Sequence, residues 1–130
     1  MSKKFISKGV MMDTTTKPVH KNCCQQVLLS FSSELELSED ELMKLGAPFG
    51  GGMGDLSGTC GALIGAQMVL GLKKYQDKPI GRDAAALVSA FRDKCGDTIC
   101  RNLKGIDTKK VLCACDDCIK NAIASLKELT

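Results

Sequence analysis

Residues 48–72 read PFGGGMGDLSGTCGALIGAQMVLGL and join two segments of opposite character. The first segment, residues 48–58, contains five glycines, which disfavour a helix and allow backbone angles that other residues avoid. The second segment, residues 60–72, is apolar on nearly every helical face, and Ser57 or Thr59 is suited to cap its N-terminus. The stretch therefore predicts a glycine-rich loop that leads into a buried central helix.

Helical signals continue on both sides of this stretch. Asn22 is suited to cap a first helix, and Ser38 followed by Glu41 forms a capping box for a second helix that ends near Gly46. Three more helices are predicted downstream, over residues 82–95, over a short segment that Asp97 or Thr98 opens and Gly105 ends, and over residues 116–129. No window alternates apolar and polar residues for long enough to predict a strand. The sequence thus predicts an all-α fold, a compact bundle of about five or six helices.

The length of 130 residues fits a single helical domain. We expect residues 1–21 to form an N-terminal extension or short helix, and residues 22–130 to form the cysteine-bearing core. The net charge is +3, and no basic stripe with interleaved aromatic residues is present, so we expect no nucleic-acid partner. The most apolar window, residues 62–72, is too short to cross a bilayer, so we expect no membrane partner either.

Eight cysteines are many for a chain of this length. In a secreted protein they would predict disulfide bonds, but the start MSKKFISKGVMMD has no apolar run long enough for a signal peptide. We therefore expect a cytoplasmic protein. In that reducing compartment, many cysteines more often serve metal binding or redox chemistry.

Four of the cysteines fall at predicted helix N-termini: Cys23, Cys60, Cys100 and Cys115. Unpaired backbone N–H groups and partial positive charge at that position favour the thiolate, which is the form that binds metals and attacks disulfides. Cys24 and Cys95 lie instead among apolar helix positions, where a cysteine typically serves as a small apolar filler.

The glycine loop has two possible uses. Its backbone N–H groups could face a sulfur or an anionic cluster, which makes candidate cofactor-binding residues of Gly50, Gly51, Gly52, Gly54 and Gly61. The loop could equally serve only to let neighbouring helices approach each other closely. The sequence leaves both uses open.

The densest local cluster is Cys113-Ala-Cys115-Asp-Asp-Cys118. Its spacing resembles a metal-ligand spacing, but three thiolates do not complete a tetrahedral site, so a distant cysteine or His20 would have to join. His20, the only histidine, is more typical of a surface or capping residue. Cys115 and Cys118 also form a CxxC pair, although the strand–helix context of thioredoxin-type motifs is missing.

Four segments together resemble a known family: NCCQQVLLSF, FGGGMG, GTCGALIGAQMVLGL and CRNLKG. They are similar to the C-GCAxxG-C-C family of redox-active proteins, and the resemblance covers residues 22–126. It implies that the four family cysteines correspond to Cys23, Cys60, Cys100 and Cys115. Two features depart from the family pattern, namely Lys21 where an aromatic residue is frequent and a longer connection over residues 10–21.

The fourth family cysteine precedes apolar residues at four, seven, eight and eleven positions. Counting from Cys115 gives Ile119, Ala122, Ile123 and Leu126. Counting from Cys118 gives Ala122, Ser125, Leu126 and Leu129, which fits less well and makes Cys118 the runner-up. Helical periodicity agrees, so we expect Cys115 to point into the bundle near Cys60, and Cys118 to point toward its flank.

The resemblance implies a redox function, and we expect electron transfer or redox sensing through an iron–sulfur cluster on the four family cysteines. The family is also similar to a domain of split-Soret cytochromes, but without a CxxCH motif covalent haem is not expected. A thiol–disulfide oxidoreductase using the same cysteines and a structural zinc protein are the alternatives, so the residues do not decide whether the chain is an enzyme. We expect an unidentified redox protein as partner. A homodimer is compatible with the high frequency of symmetric dimers among soluble oligomers.

Overall fold

The computed structural model describes residues 19–130, and most of the expected N-terminal extension or short helix lies outside that range. The described chain contains six right-handed α-helices: α1 (Cys23–Ser30), α2 (Glu39–Gly46), α3 (Gly61–Lys74), α4 (Gly81–Cys95), α5 (Cys100–Lys104) and α6 (Cys115–Leu129). Short 3₁₀ helices cover Ser32–Glu34 and Ala47–Phe49. Within residues 19–130 the β structure is limited to one isolated bridge, between Thr59 and Ile99. The all-α prediction is therefore confirmed.

Two helix starts are set by reciprocal side-chain caps, as the sequence predicts. The Asn22 side chain accepts a hydrogen bond from the Gln25 backbone N–H, and the Gln25 side chain accepts one from Asn22 N–H, both at 2.8 Å. Ser38 and Glu41 repeat this arrangement at the start of α2. Asn22 also donates to the carbonyl of Gly46, at 3.1 Å. The first cap therefore joins the start of α1 to the end of α2.

The central helix α3 packs closely against α1 because two of its residues lack a side chain. A β-carbon added at Gly65 would lie 2.9 Å from the carbonyl oxygen of Cys24. One added at Gly61 would lie 3.3 Å from the backbone nitrogen of Cys24. Both distances are shorter than ordinary packing contacts, so the two glycines permit this approach. The prediction of a buried central helix is confirmed, with Ala62, Leu63, Ala66, Val69 and Leu70 in the core.

Both predicted caps of α3 were wrong. The N-cap residue is Cys60, not Ser57 or Thr59. Thr59 is extended and forms the isolated bridge with Ile99, and the Cys60 N–H donates to the carbonyl of Thr98 at 2.8 Å. These long-range bonds hold the chain extended through Thr59, so the helix begins one residue later.

The glycine loop forms a left-handed turn over Gly50–Met53. Gly51 has φ of +61° and Gly52 has φ of +60°, and the Gly54 N–H donates to the carbonyl of Gly50 at 3.1 Å. Consecutive left-handed residues are costly for side chains and tolerated by glycine. The run of glycines is therefore what allows the turn that brings this loop to α5.

Within residues 19–130, every helix is too short or too polar to span a lipid bilayer.

Candidate functional site

Six cysteines line one small cavity between the helices, with a free volume of about 10 Å³, about the size of one water molecule. They include all four predicted site cysteines and the runner-up, and they are Cys23, Cys60, Cys100, Cys113, Cys115 and Cys118. The rest of the wall is formed by Gly51, Gly52, Gly61, Leu103 and Lys104. Sulfur is therefore the principal metal-ligating atom on this wall, and Lys104 is its one basic side chain.

The helices place four of these sulfurs in equivalent positions. Cys23, Cys100 and Cys115 are the first residues of α1, α5 and α6, and Cys60 is the N-cap of α3. This confirms the prediction that four cysteines from distant segments lie at helix N-termini. The N-terminal ends of four helices, with their partial positive charge, thus meet at one cavity, although the first two N–H groups of α5 donate to the carbonyls of Gly58 and Leu56.

Cys60 is an acidic thiol. The adjacent Cys118 thiol and the backbone N–H groups of Ala62 and Leu63 lower the pKa of Cys60 to about 6, with a smaller contribution from Lys104 and against the opposing effect of burial. The contact with Cys60, together with burial, raises the pKa of the Cys118 thiol. At neutral pH the pair therefore consists of a Cys60 thiolate and a protonated Cys118.

The cavity opens to solvent beside Cys23 and Cys115, which are half-buried. Lys104 donates a hydrogen bond to the Cys115 sulfur. That bond raises the pKa of Lys104 although burial opposes it, so the ammonium stays charged. Burial, together with the nearby Cys115 and Cys60, raises the pKa of Cys23 to about 12. The mouth outside these residues is lined by polar side chains, among them His20, Lys21, Gln26 and Asp116.

The expectation that Cys118 faces the flank of the bundle was wrong. Cys118 is 3% exposed and contacts Cys60, whereas Cys115 is half-buried and contacts Cys23 and Lys104. The buried face of α6 contains Cys118, Ala122, Ser125 and Leu126, while Ile119 and Ile123 are only partly covered. The inward face is therefore centred on Cys118, since Ala122 and Ser125 are small enough to lie against neighbouring helices. Both cysteines line the cavity.

The five predicted loop glycines divide into two groups. Gly51, Gly52 and Gly61 line the cavity. A β-carbon at Gly52 would lie 2.6 Å from the Cys100 β-carbon, so this residue is in direct contact with a site cysteine. Gly50 packs against Asn22 instead, and Gly54 has no neighbour within 4 Å of an added β-carbon. Gly50 and Gly54, also predicted as cofactor-binding residues, lie off the cavity wall.

Cys95 was interpreted from the sequence as a filler, but the structure places it beside two site cysteines. The sulfur atoms of Cys95, Cys113 and Cys118 all lie within 4.8 Å of one another, a spacing that could hold a metal ion. We call these three residues the inner trio. No local spacing links Cys95 to the other two, because α5 and a loop separate them along the chain. Cys24, the other predicted filler, is fully buried and lies against Gly65 and Gly61 of α3, as packing requires.

The fold and the cavity define a class: an all-helical, cysteine-rich protein with a buried site formed by thiols. Comparison with known families makes this specific. The family model C_GCAxxG_C_C, described as "Putative redox-active protein", matches residues 21–129. The chain therefore belongs to the C_GCAxxG_C_C family of redox-active proteins. No curated protein and no solved structure matches the chain.

Proposed function

We propose that this protein is a redox protein that binds an iron–sulfur cluster through Cys23, Cys60, Cys100 and Cys115, and that it transfers or senses electrons. The observation that carries the proposal is the convergence of sulfurs from separate helices on one cavity. Iron–sulfur clusters are held by cysteine thiolates, and four thiolates complete the ligand set.

The residues of the cavity fit such a group in charge as well as in donor type. A cluster with four thiolate ligands is anionic, and burying an anion requires compensating positive charge. Here the compensation is the ammonium of Lys104 and the N-terminal ends of four helices. Gly51, Gly52 and Gly61 leave the wall free of side chains that would fill the space.

The four proposed ligands include two residues whose sulfurs are in contact, Cys23 and Cys115, and a third, Cys60, whose sulfur contacts that of Cys118; these are the two pairs that concern the cluster. A cluster supplies one-electron transfer when bound, and its binding would separate these pairs. Cys23 and Cys115 lie at the mouth and are the ligands that a partner redox protein would approach most closely.

Iron and acid-labile sulfide analysis of anaerobically purified protein tests this proposal. We expect both at cluster stoichiometry, together with visible absorption. Cys100→Ser should lose iron and absorption, whereas Cys24→Ser, a buried cysteine that does not line the cavity, should retain them. Folded wild-type protein without iron and sulfide after reconstitution would contradict the proposal. A colourless sample with zinc in the cavity would favour a structural zinc protein.

A second candidate function, thiol–disulfide exchange, is favoured by the contact between Cys60 and Cys118. The Cys60 thiolate would attack one sulfur of a substrate disulfide and release the other as a thiolate. Cys118 would then give its proton to that thiolate and attack the Cys60 sulfur, which releases the second substrate sulfur as a thiolate and leaves a Cys60–Cys118 disulfide. Reduction of glutathione disulfide by the metal-free protein, with that bond found by mass spectrometry, would support this function. A metal-free protein that leaves the substrate oxidised would exclude it.

A further inference from the structure

The inner trio forms a compact group of sulfurs on the side of the cavity away from its mouth. Cys95 ends α4, Cys113 lies in the connection before α6, and Cys118 lies in the first turn of α6. All three are buried, at 4%, 7% and 3% exposure. None of them is among the four cysteines that we propose as cluster ligands.

The spacing of the inner trio suits a single ion. Zinc binds thiolate sulfur at about 2.3 Å, so two sulfurs of a tetrahedral site lie about 3.8 Å apart. The three sulfur atoms already lie within 4.8 Å of one another, so coordination requires only small side-chain movements. No carboxylate or imidazole belongs to this group, and an all-sulfur donor set selects a soft or borderline ion.

The surroundings of the inner trio resemble the outer shell of a metal site. The Asn121 side-chain amide donates to the Cys95 sulfur at 3.3 Å and faces the Cys113 sulfur at 3.7 Å. Donors of this kind orient coordinating thiolates and stabilise their charge. Cysteines that serve only as apolar filler do not need an amide aimed at two of their sulfurs.

We propose that the inner trio is a second, mononuclear metal site that binds one zinc ion through Cys95, Cys113 and Cys118, with Asn121 as a positioning residue. The fourth coordination position faces the cavity, since Cys113 and Cys118 also line its wall. Binding breaks three S–H bonds and forms three Zn–S bonds, and three protons pass to the solvent without any change of oxidation state.

Zinc titration of the full-length Cys100→Ser protein tests this site separately from the cluster. That variant lacks one proposed cluster ligand but keeps the inner trio intact. We expect it to bind one zinc per chain in competition with a chromophoric chelator, and Cys24→Ser to do the same. Cys95→Ser should lose that zinc, and Asn121→Leu should bind it about 10- to 100-fold more weakly. Unchanged zinc binding by Cys95→Ser, or its loss in Cys100→Ser, would overturn the proposal.

A second measurement needs no variant and remains informative if Cys95→Ser does not fold. Cysteines of wild-type protein are alkylated with and without zinc, and the labelled positions are read by mass spectrometry. Zinc should slow the labelling of Cys95, Cys113 and Cys118 relative to the chelator-treated protein. Protection confined to Cys23, Cys60 and Cys100 would place the ion in the cavity and refute the second site. Absence of iron in the wild type would end the cluster proposal but leave both zinc results interpretable.

Discussion

Replacing Gly52 by alanine should destabilise the protein more than the same change at its neighbour Gly51. The two residues have nearly identical backbone angles, with φ and ψ of 61° and 49° at Gly51 and of 60° and 51° at Gly52. Their surroundings differ. An added β-carbon at Gly52 would lie 2.6 Å from the Cys100 β-carbon, whereas at Gly51 its nearest neighbour is a Leu56 methyl group at 3.9 Å.

The magnitude follows from two separate costs. A left-handed alanine costs roughly 1–2 kcal/mol, partly offset because alanine reduces the conformational freedom of the unfolded chain. This leaves about 1 kcal/mol for Gly51→Ala. The contact with Cys100 adds an overpacking cost of about 1–3 kcal/mol, so Gly52→Ala should lose about 2–4 kcal/mol of unfolding free energy.

Urea denaturation of the metal-free variants measures both losses. Gly71→Ala serves as a control that should raise the free energy of unfolding, because Gly71 lies inside α3 with no neighbour within 4 Å of an added β-carbon. That variant should gain roughly 0.5–1 kcal/mol. Equal losses for Gly51→Ala and Gly52→Ala would refute the argument, since they would mean that the loop can move away from Cys100 without cost.

Three further predictions concern the caps and the acidic thiol. Asn22→Ala should lower the free energy of unfolding by about 1–2 kcal/mol in thermal or urea denaturation, because it removes the cap of α1 and the hydrogen bond to the Gly46 carbonyl. A loss no larger than that of Ser38→Ala, which removes an exposed cap, would contradict this prediction. The backbone N–H groups of Ile99 and Thr98 hold the pKa of Asp97 below its usual value of 3.8. The ionised carboxylate therefore stabilises the fold fully above pH 3.8, and this stabilisation is lost as the pH falls through the lowered pKa. Asp97→Asn should therefore reduce the difference in unfolding free energy between neutral and acidic pH, and an unchanged difference would show that the carboxylate charge contributes nothing. In the metal-free protein, ultraviolet thiolate absorbance should show one group titrating near the Cys60 pKa of about 6 and should lose it in Cys60→Ser; persistence of that titration in the variant would assign it to another cysteine.

Much of this protein is determined by the sequence because the signals are local. The capping boxes at Asn22 and Ser38 satisfy backbone N–H groups within three residues, and Gly105, with φ of +68°, ends α5 where the sequence predicts. The position of Cys23 at the start of α1 follows from the first capping box, whereas α3, α5 and α6, which begin at or next to Cys60, Cys100 and Cys115, start without a side-chain cap. Family resemblance and the predicted helix boundaries together led to the expectation that these four cysteines come together, and in the structure they line one cavity.

Only the tertiary structure decided which side chains meet. The inward face of α6 is centred on Cys118, because the space beside α1, α3 and α4 admits Ala122 and Ser125 more closely than the larger Ile119. Cys95 joins Cys113 and Cys118 through the packing of α4 against α6, a contact between segments far apart in the chain. Thr59 forms a bridge to Ile99 in place of a helix cap. In each case the outcome depends on the shape of a distant element, and helical periodicity describes one helix without specifying the neighbour that covers it.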